Sequence, residues 1–313
     1  MLIVIFLLLG IVLLYLGAEL LMRGSVTLAY KVGITRLVVG LTVIAYGTSS
    51  PELVVSVLAA INGNGAIAIG NVIGSNIFNI ALILGISALI SPLSVSRDIN
   101  RFQMPIMIAM SSLCLFAFLD GVFSRAEGGV FFFMIIAYTI WSIMRGRAEF
   151  KSTAISTSGE KTVGRTKIIL INVFYVVGGL AILVLGARTF IEGAIRLARE
   201  IGVSDAIIGL TIVAAGTSLP ELATSTVASL KKESDIAIGN IVGSNIFNIL
   251  LILGVASLIA PLKDPGIHLS DFFVMIAVSL FLFVLTLTKA TISRLEGFFL
   301  LVSYSLYIGY LIY

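Results

Sequence analysis

The heptapeptide GTSSPEL at 47–53 and the run IAIGNVIGSNIFNI at 67–80 both occur a second time, as GTSLPEL at 216–222 and IAIGNIVGSNIFNI at 236–249. One shift of 169 residues aligns both pairs without a gap. Under that shift residues 40–92 and 209–261 are identical at 31 of 53 positions, which is far above chance. The chain therefore consists of two copies of one sequence repeat.

The composition is that of a membrane protein. Of the 313 residues, 59% are hydrophobic and 12% are charged, and the mean hydropathy is +1.14. Soluble domains carry about 25% charged residues. The apolar residues form runs of roughly 18 to 25, which is long enough for a helix to cross a bilayer. The pattern disfavours a β-barrel, because barrel strands are short and alternate in polarity, whereas these runs are continuously apolar.

Each unit contains five apolar runs. They are 2–22, 37–61, 66–90, 102–119 and 128–144 in the first unit, and 168–187, 206–230, 235–260, 271–288 and 296–312 in the second. A copy that follows an odd number of crossings enters the membrane from the opposite face. We therefore expect an all-α membrane protein of ten transmembrane helices, arranged as two inverted five-helix repeats.

The repeat sets the expected organisation and orientation. We predict a first repeat at 1–144, a cytoplasmic linker at 145–167 and a second repeat at 168–313. With the linker inside, 15 of the 20 Lys and Arg residues fall on the cytoplasmic face. Positive charge favours that face, so the protein is expected in the cell membrane with both termini outside. The Ser/Thr-rich linker is expected to be a flexible connector. The pI of about 9.2 then reports orientation and not nucleic-acid binding.

Two breaks are predicted in the middle of apolar runs. Pro51 and Pro220 each remove a backbone donor and clash with the preceding turn, so they should interrupt their helices at the midplane. We expect the carbonyls of 45–48 and 214–217 to lose their intrahelical partners there. Such carbonyls are costly in a bilayer unless they face protein, water or an ion. The next residues are Glu52 and Glu221, and a carboxylate at membrane depth indicates a functional site.

The third run of each unit adds a polar stripe with a spacing of four residues, on one helix face. The stripes are Asn71, Ser75 and Asn79, and Asn240, Ser244 and Asn248. For Asn71 and Asn240 the alternative is interhelical hydrogen bonding, whereas Asn79 and Asn248 could face the carboxylates.

These groups supply only oxygen ligands. Carboxylates, carbonyls, hydroxyls and amides favour Ca²⁺ or Na⁺ over Zn²⁺ or Cu²⁺. Two carboxylates balance one Ca²⁺ or two Na⁺, so occupancy by one ion excludes the other, as an antiporter requires. The chain has no GxxxxGK[ST] loop for ATP. We expect no enzyme activity and no resident cofactor, with the ions as substrates and the lipid bilayer as the partner. Neither nucleic acid nor an obligate protein partner is expected.

The duplicated motifs GTSSPEL…GNVIGSNIFNI and GTSLPEL…GNIVGSNIFNI resemble the two α-repeats of the cation/Ca²⁺ antiporter superfamily, specifically prokaryotic Na⁺/Ca²⁺ exchangers. The resemblance covers essentially the whole chain. It implies a Ca²⁺ site of Glu52 and Glu221 with the backbone carbonyls of Thr48 and Thr217. It implies Na⁺ and central ligands at Ala45, Ser49, Ser75, Asn79, Ala214, Ser218, Ser244 and Asn248. It also implies alternating access and electrogenic exchange of three Na⁺ for one Ca²⁺.

One position departs from part of that superfamily. Some archaeal relatives and the K⁺-dependent branch carry Asp where this chain has Asn248, which argues against K⁺ co-transport. The proton-coupled branch of the superfamily typically carries an acid in its third-run motif, where this chain reads GNVIGSN, so the resemblance ranks Na⁺ coupling above H⁺ coupling. An H⁺-coupled Ca²⁺ antiporter, a passive cation channel and a non-transporting receptor or scaffold remain the alternatives.

Overall fold

The structure is a computed structural model that describes residues 2–154, 165–202, 214–263 and 268–312. The first half of the chain contains α1 (Leu2–Val32), α2 (Arg36–Thr48), α3 (Ser50–Ile61), α4 (Gly65–Ile90), β1 (Leu93–Ser94), α5 (Ile99–Ala117), β2 (Val122–Phe123) and α6 (Arg125–Ala154). The second half contains α7 (Arg165–Glu200), α8 (Ala214–Gly216), α9 (Leu219–Leu230), α10 (Ser234–Ile259), β3 (Leu262–Lys263), α11 (Leu269–Lys289), β4 (Thr291–Ile292) and α12 (Arg294–Ile312).

The described part of the chain is a multi-pass, helical membrane protein. Seven of its helices are long and apolar enough to cross a bilayer, and α2 with α3 makes an eighth if that bent pair is one span. The predicted crossings at 206–230 and 296–312 are not among these eight. Residues 203–213 of the first of them lie outside the described residues.

Helices α1 and α7 pack against each other in antiparallel orientation over most of their length. Each carries a glycine at every seventh position, and these glycines face the partner helix. They are Gly10, Gly17 and Gly24 on α1, and Gly179, Gly186 and Gly193 on α7. A Cβ added at Gly179 would lie 2.6 Å from the backbone nitrogen of Leu21, and one at Gly17 would lie 2.7 Å from that of Leu183. Only glycine permits so close an approach of the two backbones.

The predicted break in the first repeat is present. Helices α2 and α3 meet at Ser49 with a bend of 48°, and Pro51 occupies the first turn of α3. Proline is tolerated at that place because the first-turn N–H groups have no intrahelical acceptor. In the second repeat α8 ends at Gly216 and α9 begins at Leu219, with Pro220 again in the first turn.

Two turns of the first repeat keep their backbone conformation in the second repeat, although the glycine at each turn is replaced by another residue. Gly63 and Gly121 have φ of +75° and +79°. Their copies are Lys232 and Ala290, the two non-glycine residues with positive φ in the described part, at +60° and +49°. A Cβ is disfavoured in this left-handed region, so the second repeat retains a strained version of the first repeat's turns.

Several helices are longer than the apolar runs that predicted them. Helix α6 continues through 145–154 and α7 begins at Arg165, so these parts of the expected flexible connector are helical. The hydropathy falls where the bilayer is expected to end, but Arg, Ala, Glu and Lys are good helix formers and extend the helix beyond that point. Residues 155–164 lie outside the described residues.

Two short antiparallel ladders join the halves. Leu93 of β1 pairs with Ile292 of β4, and Phe123 of β2 pairs with Leu262 of β3. Four of the described helices contain a π-helical segment. Those of α2 and α5 are Gly40–Ile44 and Ile99–Gln103, and those of α4 and α10 are Phe78–Ile83 and Asn248–Leu253. Such widened turns occur frequently at functional sites.

Candidate functional site

The two glutamates predicted from the motifs are buried, and each is held by the opposite half of the chain. Glu52 and Glu221 are each 1% exposed and lie in the first turns of α3 and α9. The Ser218 hydroxyl donates to Oε1 of Glu52 at 2.8 Å, and the Ser49 hydroxyl donates to Oε1 of Glu221 at 2.7 Å. Because each serine lies at the helix break of its own half, each break donates a hydrogen bond to the glutamate that follows the other break.

The third-run serines extend this arrangement. The Ser49 and Ser244 hydroxyl oxygens are 2.9 Å apart, and those of Ser218 and Ser75 are 3.4 Å apart. A hydroxyl has one proton to donate. Since Ser49 donates its proton to Glu221, it accepts from Ser244. Both chains of contacts run from a third-run helix through a break to a carboxylate.

The predicted carbonyl ligands behave differently from one another. The expectation that Ala45 loses its partner at the break is wrong, because its carbonyl accepts the Ser49 N–H at 3.0 Å. The proline removes the donor four residues after Gly47, not the donor that reaches Ala45. Thr48 is buried and Thr217 is half-buried, and their side chains interact with Glu221 and Glu52 respectively. Only the backbone of Ala214 is described, in α8.

Asn71 and Asn240 donate hydrogen bonds between helices. This is the alternative that the sequence leaves open for these two residues of the polar stripe. The Asn71 amide donates to the Ser56 hydroxyl at 2.9 Å, and the Asn240 amide donates to that of Ser225 at 2.9 Å. The Asn240 oxygen also accepts from the Thr48 hydroxyl at 3.2 Å. These two side chains therefore fasten α4 to α3 and α10 to α9.

Asn79 and Asn248 differ from them. They lie in the π-helical segments and are each 1% exposed. Their amide nitrogens donate to Asn245 at 3.1 Å and to Asn76 at 3.0 Å, while their Oδ1 atoms have no partner. The Asn248 segment packs on the helix of Glu52, and the Asn79 segment packs on the helix of Glu221.

Four buried oxygens at duplicated positions are thus left without a hydrogen-bond donor. They are Oε2 of Glu52, Oε2 of Glu221, Oδ1 of Asn79 and Oδ1 of Asn248. Buried polar atoms are nearly always paired, so four orphaned acceptors need an explanation. Among the described residues neither glutamate has a Lys or Arg within ion-pair distance. Acceptor oxygens without a donor are the groups that a bound cation could use as ligands.

The donor set selects a hard cation. The described residues contain no group of three or more His, Cys, Asp or Glu side chains. Two carboxylates with amide, hydroxyl and carbonyl oxygens match the ligands of Ca²⁺ and of monovalent cations. Cys114 is buried elsewhere, on α5.

Asn76 and Asn245 were not identified from the sequence. Each lies beside a predicted serine, Ser75 or Ser244, and off the four-residue stripe. The available signal was that Gly-Ser-Asn is identical in both copies within an apolar run.

A family model, curated relatives and solved structures all match this chain, and the matches agree on one family. The sodium/calcium exchanger protein family matches residues 2–144 and 171–313. The sodium/calcium exchanger MaX1 of Methanosarcina acetivorans is 36% identical, over 98% of this chain and 97% of its own. A relative named as antiporter CaxA, from Alkalimonas amylolytica, is 37% identical over 98% of this chain and 96% of its own. The solved sodium-calcium exchanger NCX_Mj is 33% identical with a TM-score of 0.86, and the match covers 99% of both chains.

Proposed function

We propose, from the premise that this chain belongs to the sodium/calcium exchanger protein family, that it exchanges Na⁺ for Ca²⁺ by alternating access. The family makes it a Ca²⁺ antiporter of the membrane and not an enzyme. The coupling to Na⁺ is the proposal, and the four orphaned buried oxygens of the two halves carry it.

Charge balance supports mutual exclusion at this site. With both glutamates ionised the site carries two negative charges, and burial without a cationic side chain makes that state costly. One Ca²⁺ or two Na⁺ neutralise it, so either ion species displaces the other. We assign Ca²⁺ to Glu52 and Glu221 with the carbonyls of Thr48 and Thr217. We assign Asn79 and Asn248 to the central site as well. The flanking oxygens take Na⁺; they belong to Ala45, Ser49, Ser75, Ala214, Ser218 and Ser244.

The serine contacts support flanking Na⁺ positions. Ser49 and Ser244 form one pair of hydroxyls beside Glu221, and Ser218 and Ser75 form the other beside Glu52. A hydroxyl that now donates to a carboxylate can rotate to present its lone pairs to a cation.

The strand pairings and one ion pair support ten crossings in two inverted repeats. With ten crossings β1 follows the third and β4 the ninth, so both lie on one face, and β1 pairs with β4. β2 and β3 follow the fourth and eighth crossings, and they pair on the other face. The ion pair between Arg36 and Glu233, after the first and seventh crossings, obeys the same parity. We place the linker face in the cytoplasm and both termini outside.

Flux into proteoliposomes tests the coupling. Vesicles loaded with Na⁺ and diluted into Na⁺-free medium should accumulate Ca²⁺ against its own gradient. Clamping the membrane potential with K⁺ and valinomycin should change the rate if three Na⁺ exchange for one Ca²⁺. Uptake driven by a pH gradient and not by Na⁺ would replace this proposal with H⁺ coupling. Flux that only follows the Ca²⁺ gradient would indicate a channel.

The glutamates are tested in the same vesicles. Glu52→Gln and Glu221→Gln should each abolish exchange, because one negative charge cannot balance Ca²⁺. Glu192→Gln is the matched control, since this residue pairs with Arg196 at the surface of α7. Wild-type flux in either buried variant would refute the site assignment.

A further inference from the structure

Asn76 and Asn245 are copies of each other under the 169-residue shift, and they contact each other. Asn76 is 0% exposed and Asn245 is 1% exposed. The Asn76 amide donates to the backbone carbonyl of Asn245 at 3.3 Å, and the Asn245 amide donates to that of Asn76 at 3.4 Å. Copies that meet in this way lie at the axis that relates the two halves.

These contacts fix the orientation of both carboxamides. A backbone carbonyl and a thioether sulfur can only accept, so the group that faces them must be the NH₂. The remaining N–H of Asn76 points to the sulfur of Met275 at 3.5 Å, and that of Asn245 points to the sulfur of Met107 at 3.7 Å. The side-chain oxygens of Asn76 and Asn245 therefore face the other way.

Those two oxygens are the acceptors for the site asparagines. Asn76 Oδ1 accepts from Asn248, and Asn245 Oδ1 accepts from Asn79. A flip of Asn248 or Asn79 about its terminal torsion would set two oxygens against each other and turn an NH₂ toward the site. A carboxamide flip exchanges a cation ligand for a donor that repels cations.

We propose that Asn76 and Asn245 are positioning residues that make Asn248 and Asn79 present oxygen, and not nitrogen, to the transported cations. The inference rests on the proposed function, because it takes those two oxygens as ligands. Asn76 acts on Asn248 and Asn245 acts on Asn79, so each half orients the ligand of the other half.

The alternative is that the pair only fastens α4 to α10. The two roles differ in how they depend on the site asparagines. An orienting role vanishes when the oriented side chain is removed, whereas a fastening role does not.

A double-mutant cycle decides between them. Dissociation constants for Ca²⁺ alone and Na⁺ alone are measured calorimetrically on purified full-length protein, for wild type, Asn76→Ala, Asn248→Ala and the double variant. Loss of a residue that orients a ligand weakens metal binding about 10-fold or more. We expect that loss in each single variant and no further loss in the double variant. Additive losses, or wild-type affinity in Asn76→Ala, would overturn the proposal.

Matched variants keep the result interpretable. Asn100 also donates its amide to a carbonyl across helices, that of Thr286 at 2.9 Å, so Asn100→Ala should leave ion affinity unchanged. An equal loss of affinity there would count against orientation. If Asn76→Ala does not fold, the mirror cycle of Asn245→Ala with Asn79→Ala decides. If neither variant folds, the pair is structural and the proposal fails.

The experiments distinguish failure of the proposed function from failure of the positioning role. Wild-type protein that binds Ca²⁺ but shows no Na⁺-driven uptake would refute Na⁺ exchange, and the cycle would still be measurable. Wild-type protein that binds neither cation would refute both.

Discussion

The glycine contacts between α1 and α7 predict how a single methyl group changes stability. In Gly179→Ala the new Cβ would lie 2.6 Å from the backbone nitrogen of Leu21 and 2.8 Å from the carbonyl oxygen of Gly17. Ordinary contact begins near 3.4 Å, so the helices must separate by about 0.8 Å. The obstructing atoms are backbone and cannot rotate away.

The neighbouring glycine provides the control. At Gly178 an added Cβ has nothing within 4 Å. Alanine improves helix propensity over glycine by about 1 kcal/mol at either position, so the difference between the two variants isolates the contact. Overpacking of this kind costs about 1–3 kcal/mol, and Gly179→Ala should be less stable than Gly178→Ala by that amount.

The single cysteine supplies the assay. Cys114 is the only cysteine in the sequence and its side chain is fully buried. A thiol-reactive dye should therefore label it only as the protein unfolds in detergent. A difference of 1–3 kcal/mol should lower the labelling midpoint by several degrees, at roughly 2–4 °C per kcal/mol. A midpoint for Gly179→Ala equal to or above that of Gly178→Ala would refute the close packing.

Two further outcomes follow from contacts described above. Ser49→Ala should lower Na⁺ affinity in calorimetry, because it removes a proposed ligand and the hydroxyl on Glu221; Ser50→Ala should not, because the Ser50 hydroxyl donates to the backbone carbonyl of Tyr46 and to no carboxylate. Equal losses in both would contradict the assignment. Ala290→Gly should stabilise the protein by relieving a left-handed alanine that costs about 1–2 kcal/mol, less the entropy glycine adds to the unfolded chain. The reciprocal Gly121→Ala should destabilise it, and the same labelling midpoint measures both.

The helix breaks and the buried glutamates could be predicted because their causes are local. Proline removes the backbone donor for the carbonyl four residues earlier, and an apolar run places the residue after it at membrane depth. The sequence therefore predicted a break caused by Pro51, which the structure has at Ser49, and the burial of Glu52. Ala45 shows the limit of that reasoning, because which carbonyl loses its donor depends on a register of four residues.

The orientation of the site asparagines could not be predicted in this way. The π-helical segments that carry Asn79 and Asn248 depart from the 3.6-residue period on which the stripe was based. The positioning role proposed for Asn76 follows from its contacts with Asn245 and Asn248 of the other half. No sequence pattern within one repeat indicates those contacts. Similarly, the length of α6 beyond residue 144 follows from helix propensity and not from hydropathy.

The cross-half contacts have a consequence for biogenesis. The hydrogen-bond partner of Ser49 is Glu221, which is synthesised 172 residues later, and the partner of Asn76 is Asn245, which is also in the second half. Strand β1 has no partner until β4 is synthesised. During synthesis the first repeat must therefore sit in the bilayer with unpaired polar groups until its copy arrives. A single repeat expressed alone would lack every one of these partners, unless a second molecule of it inserted in the opposite orientation.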